Sequence, residues 1–111
     1  MIVIMSKKIP VPIPVRSALL KLGNDINNAR RRRRITKALM AERAGIAVNT
    51  LTRIEHGEPN TSMAAWSSVI FVLGLTENLR NLADAGRDNL GLMLEEENLP
   101  KRIRYRRKTD D

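Results

Sequence analysis

The chain has no cysteine, a single histidine and only three aromatic side chains among its 111 residues. Without cysteine there can be no disulfide and no thiolate metal site, which fits a reducing cytosol. His56 therefore stands alone, and a metal centre would lack its usual ligands. With so few aromatics, a core must be built from Leu, Ile, Val, Met and Ala, which favours packed helices over a β-sandwich. No apolar run approaches the roughly 18 residues that span a bilayer, so no membrane partner is expected. The opening Met1–Met5 is too short for a signal-peptide core, and no basic region precedes it. It is read either as lying ahead of an alternative translation start at Met5 or as a short intermolecular strand. No Ser-His-Asp set can be assembled with any spacing logic, and no glycine-rich phosphate loop is present. No enzyme, catalytic residue, metal or cofactor is expected.

Apolar residues make up 42% of the chain, enough for the core of one domain and too little length for two comfortable ones. Twenty Lys and Arg against twelve Asp and Glu leave a net charge of +8 and a pI near 10.8. That excess points to a polyanion: DNA, RNA or an anionic membrane surface. It is also uneven, because Arg30–Arg34 and Lys101–Lys108 hold eleven of the twenty basic residues. The plainer alternative is two solvated basic patches without a partner. RNA is disfavoured by the shortage of aromatics for base stacking, since Trp66 and Phe71 are expected in the core. Glu95–Glu97 are consecutive and do not converge on one helix face. They are either a solvated acidic patch or a contact for a basic partner.

Prolines at 10, 12 and 14 predict an extended lead-in over residues 1–16. A first helix is expected from an N-cap at Ser17 to about Arg33, with Leu19, Leu22, Ile26 and Ala29 on one stripe. Gly23 within it costs about 1 kcal/mol relative to alanine, so close packing against a neighbour is expected there. Thr36 caps a second helix over Lys37–Ala44, whose buried face is Met40, Ala41 and Ala44. Gly45 is its left-handed C-terminal residue, with Ile46 behind it. A third helix, Val48 to about His56, buries Leu51 and Ile54, and Gly57 suits its end. After the turn at Glu58–Asn60, Thr61 or Ser62 caps a fourth helix with an apolar face of Met63, Trp66, Val69, Ile70 and Leu73. A fifth short helix, about Thr76–Ala83, buries Leu79 and Leu82. A further segment, Asp88 to about Asn98, has an apolar edge of Leu90, Met93 and Leu94 and is stopped by Pro100. The Lys101–Asp111 tail has little to bury.

Two helices joined by a short glycine-containing turn form a unit whose second helix can lie in a DNA major groove. Val48, Asn49, Thr52 and Arg53 lie off the Leu51/Ile54 face. Asn can bond adenine bidentately, Arg can bond guanine, and an apolar group can meet the thymine methyl. The second helix begins at Thr36 and Lys37, and its free N–H groups can receive a backbone phosphate. Arg32 and Arg33 supply sequence-blind attraction to the same backbone. His56, at a helix end, is expected to cap or to meet phosphate.

Leu22-Gly23-x-x-Ile26-x-x-x-Arg30, Thr36, Met40-Ala41, Ala44-Gly45-Ile46, Thr50-Leu51, Ile54-Glu55-x-Gly57 and Leu73-Gly74 together resemble the phage-repressor-like, XRE-type helix-turn-helix family over residues 18–75. The resemblance implies an all-α, compact five-helix lambda-repressor-like DNA-binding domain at 17–84. An extended arm (1–16) precedes it, and a C-terminal extension with a basic tail (85–111) follows. It implies a buried ion pair between Arg30 and Glu55. Base-reading positions fall at Val48, Asn49 and Arg53, with Ala47 and Thr52 alongside. Phosphate contacts fall at Lys37, Asn60 and Thr61, with Thr50 placed among them. Ala47 departs from the family, which usually has a polar cap there. A narrower resemblance takes in Ile13-Pro14-Val15-Arg16, Ala38–Ala44, Phe71–Gly74 and Leu90-Gly91-Leu92-x-Leu94-Glu95-x-x-x-Leu99-Pro100-Lys101-Arg102. These are similar to HipB-like antitoxins found beside HipA-type kinase toxins. That implies a bacterial, cytoplasmic homodimer that binds an inverted-repeat operator in double-stranded DNA, represses its own operon and holds the toxin. The alternative is a stand-alone phage-type regulator with no toxin partner.

Overall fold

The first helix begins earlier than its serine cap suggests, and the prolines are the reason. The computed structural model describes residues 10–102. Helix α1 spans Ile13–Arg32, with Pro12 in extended geometry at its N-cap and a proline in its first turn. A proline there loses only an N–H that would have no intrahelical acceptor, and its fixed φ already suits the helix. The backbone N–H groups of Val15 and Arg16 both donate to the Pro12 carbonyl at 3.0 Å. Residues 13–16, expected to be extended, are thus the first turn of α1, and Ser17 lies inside the helix. The stripe α1 buries is Gly23, Ile26, Ala29 and Arg30, with Leu19 packed beside them; Leu22 stands at its solvent edge.

Helices α2 (Lys37–Ala44), α3 (Val48–Glu55) and α4 (Met63–Val72) follow, then the short α5 (Thr76–Arg80). Thr36 caps α2 by accepting from the Leu39 N–H at 3.1 Å, and Ser62 caps α4 by accepting from the Ala65 N–H at 3.1 Å. The core joins Ile26 and Ala29 of α1, Met40 and Ala41 of α2, Leu51 and Ile54 of α3, and Ala65, Trp66 and Val69 of α4, with Leu73 just beyond. α3 is the central element: it packs against α1, α2 and α4.

Two expected core residues on α4 are outside. Phe71 and Met63 are each 68% exposed. The buried face of α4 is Ala65, Trp66 and Val69. Phe71, five residues after Trp66, falls well off that stripe at 100° per residue. Met63 occupies the first turn.

The chain divides into two compact units, one ending at Thr76 and one beginning at Glu77. In the second, a 3-10 turn (Ala85–Arg87) packs against α6 (Asn89–Arg102). Asp84 caps the turn through the Gly86 N–H at 2.9 Å, and Asp88 caps α6 through the Gly91 N–H at 2.9 Å. Leu82, expected to be buried, is 70% exposed, and Leu79 is half-buried. α6 continues through Pro100 instead of stopping there. The proline falls in the last turn, where its missing N–H withdraws a single hydrogen bond. The Met1–Met5 segment and residues 103–111 of the basic tail lie outside the described residues. None of the described helices is long and apolar enough to cross a membrane.

Candidate DNA-binding interface

The turn between α2 and α3 is closed by a double hydrogen bond. Gly45 is left-handed (φ 71°), its N–H donates to the Glu42 carbonyl at 3.2 Å, and the Ile46 N–H donates to the Ala41 carbonyl at 3.0 Å. This six-to-one and five-to-two pairing satisfies the last carbonyls of α2 and lets the chain reverse within three residues. α3 then starts at once. Ala47 has the extended geometry of an N-cap but offers no side-chain acceptor, so the first N–H groups of α3 lack a side-chain partner.

On α3, Leu51 and Ile54 are fully buried and Glu55 nearly so. Val48 (44% exposed), Asn49 and Arg53 project from the opposite face, with Ala47 exposed just ahead of them. Thr52 is half-buried and belongs partly to the protein: its Oγ1 accepts from Lys37 Nζ at 3.2 Å. Arg53 Nη2 donates to Thr50 Oγ1 at 3.4 Å. The expected base-reading set therefore divides into three exposed side chains (Val48, Asn49 and Arg53), exposed Ala47, and Thr52 tied to the first residue of α2.

Behind this face lies a buried polar cluster. Arg30 Nε donates to Glu55 Oε2 at 2.7 Å, and Arg30 Nη2 to Glu55 Oε1 at 3.2 Å. This two-pronged pair spans α1 and α3, with Arg30 8% and Glu55 6% exposed. Arg30 Nη1 donates to the Ile35 carbonyl at 2.8 Å, which ties in the α1–α2 turn. Asn27 Nδ2 adds a third donor to Glu55 Oε1 at 2.7 Å. Asn27 was not anticipated from the sequence. Its spacing of three from Arg30 on the same helix face was the available signal. With every charged group bonded, the cluster avoids the penalty of a buried unpaired charge.

The five arginines have different surroundings. Arg33 donates from Nη1 to the Ala29 carbonyl at 2.8 Å and from Nη2 to the Leu73 carbonyl at 3.0 Å. It is a strut joining the C-terminal ends of α1 and α4. Arg31, Arg32 and Arg34 are exposed, and their side chains make no hydrogen bond or ion pair with a described residue. Near the start of α4, Asn60 is exposed, while Thr61 Oγ1 is buried without a hydrogen-bond partner among the described residues. His56 is exposed at the C-cap of α3. Among the described residues, no group of three or more His, Asp or Glu is placed to hold a metal ion.

These two helices present one short, exposed edge of hydrogen-bonding side chains, geometry suited to reading base edges. A family model described as a helix-turn-helix domain matches residues 21–83. Comparison with curated proteins and with solved structures returned no match. The matched stretch runs from within α1 past the end of α5 and includes α2, α3 and the Arg30–Glu55 pair. Over more than half of its length, the chain belongs to the helix-turn-helix domain family, a family of DNA-binding regulators.

Proposed function

We propose that the protein is a sequence-specific transcriptional repressor that binds an inverted-repeat operator as a homodimer. The observation that carries this reading is the division of α3: Leu51 and Ile54 are sealed in the core, while Val48, Asn49 and Arg53 are exposed on the other side. Two copies of α3 would enter successive major grooves about 34 Å apart. Asn49 and Arg53 would bond base edges, and Val48 would meet a thymine methyl. Thr36, Lys37, Thr50, Asn60, Thr61 and Arg32 would hold the phosphates, and an occupied operator would block polymerase access. Arg33 is already engaged with two backbone carbonyls, which weakens the case for it as a phosphate ligand.

The test is selection of a preferred duplex from a random pool, followed by binding of variants to point-changed versions of it. Asn49→Ala or Arg53→Ala should relax preference at one base pair and cost roughly 1–3 kcal/mol, while Arg32→Ala should weaken all duplexes alike. Indistinguishable behaviour of the two sets would remove α3 from the role of reading helix.

A second element of the proposal is that the chain also serves as an antitoxin for a kinase-type toxin. What supports it is the second unit, where Leu90, Met93 and Leu94 of α6 are at least half exposed and six of the twelve acidic residues lie between Glu77 and Glu97. Deleting residues 87–111 separates the two forms of the proposal. A stand-alone regulator keeps operator binding and repression and has no partner to lose. An antitoxin keeps operator binding and loses toxin capture, read by co-purification with the neighbouring gene product.

A further inference from the structure

Helices α1, α2, α3 and α4 all end in the same double-hydrogen-bonded turn. In α2, α3 and α4 the residue forced into the left-handed region is a glycine: Gly45 (φ 71°), Gly57 (φ 72°) and Gly74 (φ 78°). In α1 it is Arg34, at φ 56°, the one non-glycine residue with positive φ among those described. Its N–H donates to the Arg31 carbonyl at 2.9 Å, and the Ile35 N–H donates to the Arg30 carbonyl at 3.2 Å, the pairing seen at the three glycines. An L-residue with a Cβ is disfavoured in this conformation, and asparagine or glycine relieves it.

Nothing among the described residues offsets that strain. The Arg34 side chain is exposed and has no hydrogen-bond or ion-pair partner among the described residues. The attraction of basic groups to a helix C-terminus does not single it out, because Arg31 and Arg32 already lie in the last turn of α1. Packing does not account for it either, since Ile35, the next residue, makes the turn's hydrophobic contact with the core. What Arg34 has, and glycine would not, is a free guanidinium at the turn that leads into Thr36 and α2. That group suits the bidentate, charge-assisted recognition of a phosphate diester.

We propose that Arg34 is a DNA-backbone contact, and that its left-handed conformation is a strain carried by the free protein in exchange for that contact. The proposal rests on the DNA-binding reading above and refines it: within the arginine run, Arg30 and Arg33 serve the fold, and Arg34 serves the ligand. It makes stability and affinity move in opposite directions at one residue, which a solvated surface arginine would not do.

The experiment uses the full chain, with wild type, Arg34→Gly, Arg34→Asn and Arg34→Lys. Each is titrated against two labelled duplexes, one enriched from a random pool and one of random sequence, over a series of salt concentrations. Unfolding by urea is measured in parallel. Arg34→Gly and Arg34→Asn should weaken both duplexes by the same factor and make the log–log salt slope shallower by about 0.9, the loss of one phosphate contact. Arg34→Lys should keep the slope, and Arg34→Gly should unfold at higher urea than wild type. If Arg34→Gly binds with unchanged affinity and slope, the proposal is overturned while the DNA reading stands. A loss confined to the enriched duplex would make Arg34 a base reader instead, and a lowered urea midpoint for Arg34→Gly would make it structural; either result overturns the proposal. If the wild-type chain binds neither duplex, the DNA reading itself falls, and the role of Arg34 with it.

Discussion

Glu55 shows how far a single side chain's meaning depends on its neighbours. Its carboxylate takes two bonds from Arg30 and one from Asn27. Replacing Glu55 alone by Leu leaves Arg30 buried without its anion, and should cost about 3–5 kcal/mol. The double replacement Arg30→Met with Glu55→Leu should recover most of that loss, because an apolar pair of similar volume removes both desolvation penalties. Urea unfolding of the single and double variants checks this. If the double is no better than the single, the Ile35 carbonyl and Asn27 depend on the pair more than it depends on itself. Ala47 poses the opposite case, a cap position with no cap. Ala47→Ser should raise stability by about 1 kcal/mol by giving the first N–H groups of α3 an acceptor. A thermal midpoint unchanged or lowered would mean that the start of α3 is already satisfied. The Arg30–Glu55 pair was implied by the family resemblance of the sequence, and the structure forms it. The strut made by Arg33 was not implied, since one of its acceptors lies forty residues away on the backbone and carries no side-chain signature.

At the scale of elements, α1 and the C-terminal end of α3 approach so closely at Gly23 and Gly57 that no Cβ fits there. A Cβ on Gly23 would run into the Ile54 carbonyl oxygen and lie 2.8 Å from the Gly57 nitrogen, and one on Gly57 would lie 2.6 Å from the Leu20 Cα. Intrinsic propensity favours alanine over glycine in mid-helix by about 1 kcal/mol. Gly23→Ala should nevertheless destabilise, by about 1–3 kcal/mol, because backbone atoms cannot yield as a flexible side chain would. Stabilisation in a denaturant titration would show that α1 can slide off α3 at little cost. Close packing was expected at Gly23 from its place in a helix, but the identity of the surface it meets needed the fold. The same holds for α4. Trp66→Ala should cost about 3–5 kcal/mol and Phe71→Ser only about 0.5 kcal/mol or less, since the first is in the core and the second is mostly in solvent. Both aromatics sit in one apolar run, so composition could not separate them; angular position on the helix does.

For the whole molecule, charge and architecture act on different quantities. On the proposed reading, the excess of basic residues would set the strength and salt dependence of attraction to a polyanion, while the exposed edge of α3 would set which sequence is preferred. Raising salt from about 50 to 200 mM should therefore weaken random and preferred duplexes together and leave their ratio nearly constant. A ratio that collapsed with salt would show that discrimination is itself electrostatic. The second unit follows another rule. No residue of α5 or the 3-10 turn is buried, and Leu82 and Leu90 are largely in solvent.

Local chemistry is written in the sequence wherever a residue type has one physical use at one spacing. The Thr36 cap, the Gly45 reversal, the Leu51/Ile54 stripe and the outward Val48, Asn49 and Arg53 are all of this kind, because hydrogen-bond capping, left-handed φ and helical periodicity act within a few residues. Only the tertiary structure decided which arginines of a uniform run are spent inside the molecule. Five adjacent arginines are chemically identical until a carboxylate on another helix, two distant carbonyls and a left-handed turn distinguish Arg30, Arg33 and Arg34. The structure also shows the proline-rich lead-in as the first turn of α1, because a helix tolerates proline in its first turn, where no N–H is needed.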